Sequence, residues 1–286
     1  MIIALFTNNQ KVDTFGTAIQ VRDFLQKKNI HVVAPDAEAK SLGVGLLSSI
    51  SPKQIDFLIS MGGDGTILRI IHHYPEIKAP VLGINMGHLG FMADVPLSDL
   101  FPSLEEFVLG EYEIQERLMM EGVAPGGHLF FAVNDIVVHR AKNPSIIDLS
   151  IHVDGTYLNT FSADGIILST ASGSTAYSLA AGGPILSPEL DSIVITPISP
   201  HTISNRPIVI RPKKQIEVEY LSPYDPVEIT YDGVSRYSMP TNEIFRATIA
   251  NKCFRMVKLR RTDYFATLRT KLGWSGQVRY GRFNDT

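Results

Sequence analysis

The stretch ISMGGDGTILR (59–69) decides how the first part of this chain folds. Phe57, Leu58 and Ile59 make a short apolar run, three glycines then surround one carboxylate, and residues 66–71 return to mostly apolar side chains. That order reads as strand, tight turn, helix. Glycine permits positive φ and close approach to another molecule, and a helix start offers unpaired N–H groups and a positive dipole end to an anion. Gly62, Gly63, Gly65 and Thr66 around Asp64 therefore describe a phosphate cradle. The bland alternative is a connecting turn with a solvated aspartate.

Outward from this turn the same unit recurs. Residues 2–6 read as a buried strand, 14–28 as a helix with Phe15, Ala18, Ile19 and Leu25 at helical spacing, and 31–33 as a second strand. Strand, helix and strand within about 30 residues is a βαβ unit with a right-handed crossover. Residues 57–61 lead to a helix over 66–73, and 81–84 lead into a second glycine loop, GINMGHLGF (83–91). A parallel sheet follows, and ligands of such sheets sit beyond the carboxyl ends of the strands, where both glycine loops fall. The dinucleotide fingerprint is absent, because GVGLLS (43–48) lacks the third glycine, and no G-x-x-x-x-G-K-[ST] occurs. A dehydrogenase and a Walker-type NTPase are both disfavoured.

Near Glu111 the rhythm changes to short alternating or β-branched runs at 129–139, 146–153, 157–161, 165–169, 193–198, 207–210, 215–220 and 227–231. Asp154-Gly155 and Asp232-Gly233 are two-residue turn signals, the first between a hairpin pair. The fold class is α/β plus β: an amino-terminal α/β domain with a parallel sheet over 1–100, a second, mainly β domain over 111–245, and a carboxyl-terminal segment over 246–286. Residues 96–102 read as a linker into a short helix at 104–108.

A length of 286 residues accommodates two domains, and 44% hydrophobic with 19% charged residues is the composition of a soluble globular protein rather than a disordered one. A net charge of −3 gives no general attraction to nucleic acid or membranes. The basic tail, with Lys252, Arg255, Lys258, Arg260, Arg261, Arg269, Lys271, Arg279 and Arg282, reads as a solvated or inter-subunit face. Cys253, the single cysteine, excludes an internal disulfide and a multi-cysteine zinc site and reads as a buried, inert thiol. MIIALFTNNQ (1–10) lacks a basic start and a signal-length apolar core, and no run approaches about 18 apolar residues, so the expectation is a cytoplasmic chain.

Two segments of the β domain hold unusual chemistry. In DGIILSTASGSTAYSLAAGGP (164–184), Ser169, Thr170, Ser172, Ser174 and Thr175 surround Gly173. Such a turn caps a helix, or leaves room for a planar ligand. Asn134-Asp135 interrupts the apolar run AVNDIVVH (132–139), either as a satisfied core pair or as a ligand grip. His72, His73 and His88 suggest no metal site, and Ser172-Gly173-Ser174 does not fit a nucleophile elbow.

Taken together, GGDGT (62–66), GINMGHLGF (83–91), ND (134–135), DGIILSTASGSTAYSLAAGGPI (164–185) and YFATLRTKLGW (264–274) resemble the NAD kinase family, in the family's order and over nearly the whole chain. GGDGT alone is shared with lipid kinases of the diacylglycerol and sphingosine type and with 6-phosphofructokinases. The resemblance implies transfer of the γ-phosphoryl of ATP, with Mg2+ or another divalent cation, to the 2′-hydroxyl of the adenosine ribose of NAD+, giving NADP+. A ribose hydroxyl is a poor nucleophile until a carboxylate accepts its proton, and Asp64 is that base in this reading. Positioning and neutralising the γ-phosphoryl charge are the remaining tasks. By match with the family, Gly65 lies against the same ribose, Asn134 and Asp135 grip NAD, and Asp164 faces the nicotinamide side. Thr175, Ala176, Tyr177, Ser178 and Ala180 wall the dinucleotide, and Phe91 packs on adenine; no protein metal ligand is assigned.

The chain departs from the family pattern at three places. Ala171 stands where the family commonly has proline; Ser162 stands where some members carry arginine, and Val234 where many have glutamine or asparagine. The last two remove polarity near the nicotinamide end. The resemblance also implies a carboxyl-terminal segment returning to the first domain and a homo-oligomer, dimer or tetramer, with NAD+ and ATP as partners rather than nucleic acid or a membrane. The competing readings are a GGDGT-type lipid kinase, opposed by the small-residue block at 164–185, and a non-catalytic NAD(P)-binding sensor, opposed by the retained Asp64.

Overall fold

Residues 1–8, 14–87, 89–123, 126–202, 205–211 and 215–276 are described by the structure, a computed structural model. His88, Arg279 and Arg282 lie outside the described residues. The chain forms two compact units, Met1–Ile114 with the described residues from Val257 onward, and Gln115–Met256. The first leg runs β1 (Ile2–Thr7), α1 (Thr14–Lys27), β2 (His31–Ala34), α2 (Asp36–Leu42), β3 (Gly45–Leu46), β4 (Phe57–Gly62), α3 (Asp64–His73), β5 (Val81–Asn85), β6 (Val95–Pro96), α4 (Leu100–Val108) and β7 (Tyr112–Arg117). Then come β8 (Met120–Val123), β9 (Leu129–Ala132), β10 (Asp135–His139), β11 (Ile147–Val153), β12 (Thr156–Ala163), β13 (Gly165–Thr170), α5 (Tyr177–Ala180), β14 (Ile193–Ile198), β15 (Ile208–Ile210), β16 (Ile216–Tyr220), β17 (Val227–Tyr231), β18 (Ser235–Met239) and β19 (Ile244–Ile249). The chain returns as β20 (Phe254–Leu259) and α6 (Tyr264–Leu272).

In the first unit, β1 pairs in parallel with β2 and β4, and β4 with β5. Ile3, Leu5, Ile59, Met61, Leu82 and Ile84 are fully buried, which is why these strands read as unbroken apolar runs. Both glycine loops leave the carboxyl ends of adjacent strands, β4 and β5. Helix α1 buries Thr14, Ala18, Val21 and Leu25, whereas Phe15, one of the apolar residues at helical spacing, is 44% exposed. Helix α4 begins at Leu100, so the second half of the expected linker is helical; Pro102 sits in the first turn, where a missing N–H forfeits no helical bond.

The sheet order β3-β2-β1-β4-β5-β20-β7, with β6 beside β5, inserts the returning strand between β5 and β7. A buried carboxylate fixes that return: Glu106 Oε1 accepts the Arg260 and Arg261 backbone N–H groups at 2.6 and 3.3 Å, and Oε2 accepts Arg261 Nε at 2.6 Å. Burial pushes the Glu106 carboxyl upward, but the Arg261 side chain and the two amides outweigh it and hold the group below the usual carboxylate range.

The second unit is two six-stranded antiparallel sheets, β15-β14-β13-β10-β17-β18 and β12-β11-β16-β19-β8-β9. Inward side chains of both, among them Ile136, Ile166, Leu168, Ile195, Leu149, Phe161, Val218 and Phe245, form one apolar core. Both turn signals are genuine: Asp154 and Gly155 have φ of 51° and 80°, and Asp232 and Gly233 have 47° and 66°. The run 129–139 is not one strand. It breaks at Val133-Asn134, so that β9 belongs to one sheet and β10 to the other. Cys253 is exposed rather than buried, standing between the bend at 251–252 and β20; partial burial, then the charge of Glu116, still pushes its thiol upward.

Candidate functional site

In the first unit, Asp64 occupies the first turn of α3 behind the N-cap Gly63, two residues earlier than the expected helix start. A carboxylate there is favoured by the helix dipole. It also closes a second contact. Oδ2 accepts the Phe91 N–H at 2.9 Å, and Oδ1 accepts Met92 and Ala93 at 3.0 and 2.9 Å. Three successive amides thus bind one carboxylate in the manner of an anion nest. A carboxylate offers about four acceptor positions, and the three amides leave one on Oδ2 for an incoming hydroxyl.

The glycines serve this geometry by being small, not by positive φ: none of Gly62, Gly63, Gly65, Gly83 and Gly90 has one. A Cβ on Gly62 would lie 2.2 Å from Thr66 Oγ1, one on Gly83 2.6 Å from the Met92 oxygen, and one on Gly90 2.1 Å from Asp64 Oδ1. Gly65 faces open space. Asn85 holds the second loop by donating Nδ2 to the Ala93 oxygen at 3.2 Å and accepting Gly87 N–H at 2.6 Å. From α6, Lys271 donates to the Leu89 oxygen at 2.7 Å and sits 4.8 Å from the centroid of the half-buried Phe91 ring. Much of the described basic tail is similarly engaged, as with Arg261 on Glu106 and Lys258 on Asp94.

In the second unit, a cavity of about 600 Å3 is lined by Asn134 and Asp135, by His139, Arg140 and Asp164, by Ala176 and Tyr177, and by Asp232 and Gly233, with Val137, Ala141, Ile198 and Thr230 beside them. This falls within the usual range for small-molecule sites. Asn134 and Asp135 are 8% and 7% exposed, and Asn134 Oδ1 has no hydrogen-bond partner. A buried acceptor without a donor carries a desolvation penalty that a ligand N–H or O–H relieves. Desolvation, then the charge of Asp232, pushes the Asp135 carboxyl up to about 7. At the other wall Arg140 Nε meets Asp164 Oδ1 at 2.7 Å.

A family model described as the ATP-NAD kinase N-terminal domain matches residues 3–112, and one described as the ATP-NAD kinase C-terminal domain matches residues 133–259. An NAD kinase of Protochlamydia amoebophila (strain UWE25) is 57% identical over 278 residues, covering 97% of this chain and 100% of that one. The chain belongs to the NAD kinase family. An NAD kinase of Geotalea daltonii is 37% identical, covering 95% of this chain and 98% of that one. Among solved structures, a yeast NADH kinase complexed with NADH superposes with a TM-score of 0.85 at 23% identity, over 99% of this chain and 90% of that one, which shows a shared fold. An Archaeoglobus fulgidus NAD kinase in complex with ATP gives 0.75 at 25% identity, over 96% and 100%.

Of the residues that the NAD kinase resemblance singles out, Asn134, Asp135, Asp164, Ala176 and Tyr177 share the cavity. Thr175, Ser178, Ala180, Ser162 and Val234 are outside its lining. Ser178 is buried against Thr196 at 2.9 Å, Ser162 bonds Asp148, and Val234 is 44% exposed on the hairpin. Asp64, Gly62, Gly63, Gly65, Thr66 and Phe91 stand together in the first unit. The hydroxyl-rich turn does not cap α5, whose N-cap is Ala176. Instead Thr170 Oγ1 donates to the Val133 oxygen at 2.6 Å and accepts Gly173 N–H at 3.1 Å, and Ser174 Oγ bonds Ala171 and Leu186. Arg140 and Asp232 had no role in the sequence reading. The signal for Asp232 was the Asp-Gly turn, which reads as a hairpin and hides a carboxylate reaching back to 133–135.

Proposed function

We propose that this protein transfers the γ-phosphoryl group of ATP to the 2′-hydroxyl of the adenosine ribose of NAD+, giving NADP+ and ADP. The observation that carries the reading is Asp64, held by three amides with one acceptor position left on Oδ2. In this scheme that oxygen takes the hydroxyl proton as the ribose oxygen forms its bond to the γ-phosphorus and the bond to the β,γ-bridging oxygen breaks. Gly65 lets the ribose approach, and the α3 N-terminus faces phosphate charge. The second unit binds the dinucleotide, with Asn134 Oδ1 accepting a donor from it. Mg2+ accompanies ATP, and it rides largely on the substrate phosphates, whose charge it neutralises. The protein works as a homo-oligomer in the cytoplasm; no helix among the described residues is long and apolar enough to cross a membrane.

The test is NADP+ formation from NAD+ and Mg-ATP by wild type and Asp64→Asn, read with an NADP-specific dehydrogenase. The variant loses nearly all turnover and keeps NAD+ binding within about threefold, since the lost proton acceptor matters mainly in the transition state. Near wild-type turnover in the variant would remove Asp64 from the base role. A wild type that binds NAD+ and makes no NADP+ would support the sensor.

A further inference from the structure

The corner that carries Asn134 and Asp135 is held from both sides. Asp232 Oδ2 accepts the Val133 N–H at 2.8 Å, and Oδ1 accepts Asn134 and Asp135 N–H at 2.7 and 3.1 Å. In return, the Asp232 N–H donates to the Asp135 oxygen at 3.0 Å. On the opposite side Thr170 N–H donates to the Asn134 oxygen at 2.8 Å, and Thr170 Oγ1 to the Val133 oxygen at 2.6 Å. Gly173 presses directly on the same corner, since a Cβ there would lie 2.1 Å from the Asn134 oxygen.

These bonds answer an accounting problem. Residues 133–134 leave one sheet for the other, so they lose ladder partners, and buried amides must find acceptors. Asp232 supplies an acceptor for all three with a charged group, whose hydrogen bonds are about twice as strong as neutral ones. The backbone of the corner is thereby saturated, while the Asn134 side chain keeps an unpartnered, buried Oδ1 in the cavity wall. A flexible corner would let that amide turn to satisfy itself elsewhere.

We infer that Asp232 is the positioning residue of the dinucleotide pocket: its carboxylate fixes the 133–135 backbone so that Asn134 Oδ1 stays presented to a hydrogen-bond donor of NAD+. The inference rests on the function proposed above. Asp232 acts through Asn134 and Asp135, whose backbone N–H groups its carboxylate accepts.

The experiment measures the NAD+ dissociation constant, KM for NAD+, KM for ATP, kcat and the unfolding midpoint for the full chain and for Asp232→Ala and Asp232→Asn. Asp232→Ala weakens NAD+ binding and raises KM for NAD+ by about tenfold or more, the lower end for losing one bond to a charged group, with KM for ATP within about twofold. Asp232→Asn keeps one carbonyl oxygen able to accept and falls between wild type and alanine. A purely stabilising residue would reduce the active fraction, and so the apparent kcat, and leave the NAD+ terms unchanged; that pattern overturns the inference. Failure of the asparagine variant to fold overturns it as well. A wild type that forms no NADP+ defeats the functional proposal, whereas unchanged NAD+ affinity in folded variants of an active wild type defeats only this one.

Discussion

Replacing Gly65 by alanine separates the ligand-facing role of the GGDGT turn from its structural one. Gly65 follows Asp64 in the first turn of α3, its φ is not in the left-handed region, and an added Cβ meets no heavy atom within 4 Å. Alanine is the better helix residue by about 0.5–1 kcal/mol, so the free protein gains stability, worth roughly 1–4 °C in a unit of this size. The same methyl fills space that the proposed reaction gives to the ribose. Forcing a methyl into a packed contact costs about 1–3 kcal/mol, which is roughly a ten- to hundredfold loss in kcat/KM for NAD+. The assays are thermal unfolding without ligand and initial rates of NADP+ formation over a series of NAD+ concentrations. If the melting point holds or rises while kcat/KM stays within twofold of wild type, nothing approaches Gly65 closely and its assignment fails. A fall in the melting point would instead contradict the open space around it.

Gly90→Ala makes the complementary change, because its Cβ would stand 2.1 Å from Asp64 Oδ1, an oxygen held by two amides. Both stability and turnover fall, stability by about 1–3 kcal/mol and kcat by about a hundredfold, measured by urea unfolding and the same rate assay; wild-type turnover would show that the Asp64 position is not critical. Asp135, raised to about 7 first by burial and then by the Asp232 charge, makes stability depend on pH in a stated direction. Near pH 4 and below, both states carry the proton; from about 4 to 7 only the folded state keeps it, so stability falls as pH rises, by a few kcal/mol in all. Asp135→Asn cannot ionise and removes that fall, so urea unfolding places it above wild type at pH 8 and level with it near pH 4; parallel pH curves would refute the coupling.

The strands of the first unit were legible because a sheet covered on both faces leaves unbroken apolar runs, as at 2–6 and 57–61. The hairpin turns were legible because positive φ at successive positions selects Asp-Gly, and both pairs have it. The break within 129–139 was not, since β-branched side chains continue across it and only the polar pair marks the place where the chain changes sheets. At the site, the sequence pointed to Asp64 and the Asn134-Asp135 pair. It could not show that GGDGT is closed by residues 91–93, a contact spanning 27–29 positions, or that Asp232 reaches back 97–99 positions to the pair. Long-range bonds from a side chain to backbone amides leave no periodic trace, because the accepting residue is the only one whose identity matters.

The two carboxylates use the same device, one side chain binding three successive amides, and differ in what surrounds them. Asp232 lies within a hairpin turn and returns its own N–H to the Asp135 oxygen, so it is locked into the backbone it supports. Asp64 lies half-buried at a helix N-terminus, next to a glycine with open space around it. Amide donors hold a carboxylate in one place, so it needs no reorganisation when a hydroxyl arrives. An aspartate that must be both anchored and reactive needs this partial engagement: a fourth amide would leave no room for the proton, and none would leave the oxygen unplaced. For that reason loss of activity in an Asp64 variant speaks to chemistry only where the 91–93 turn is still in place, and Gly90→Ala, which disturbs the carboxylate and leaves its charge, measures how much of the loss is position.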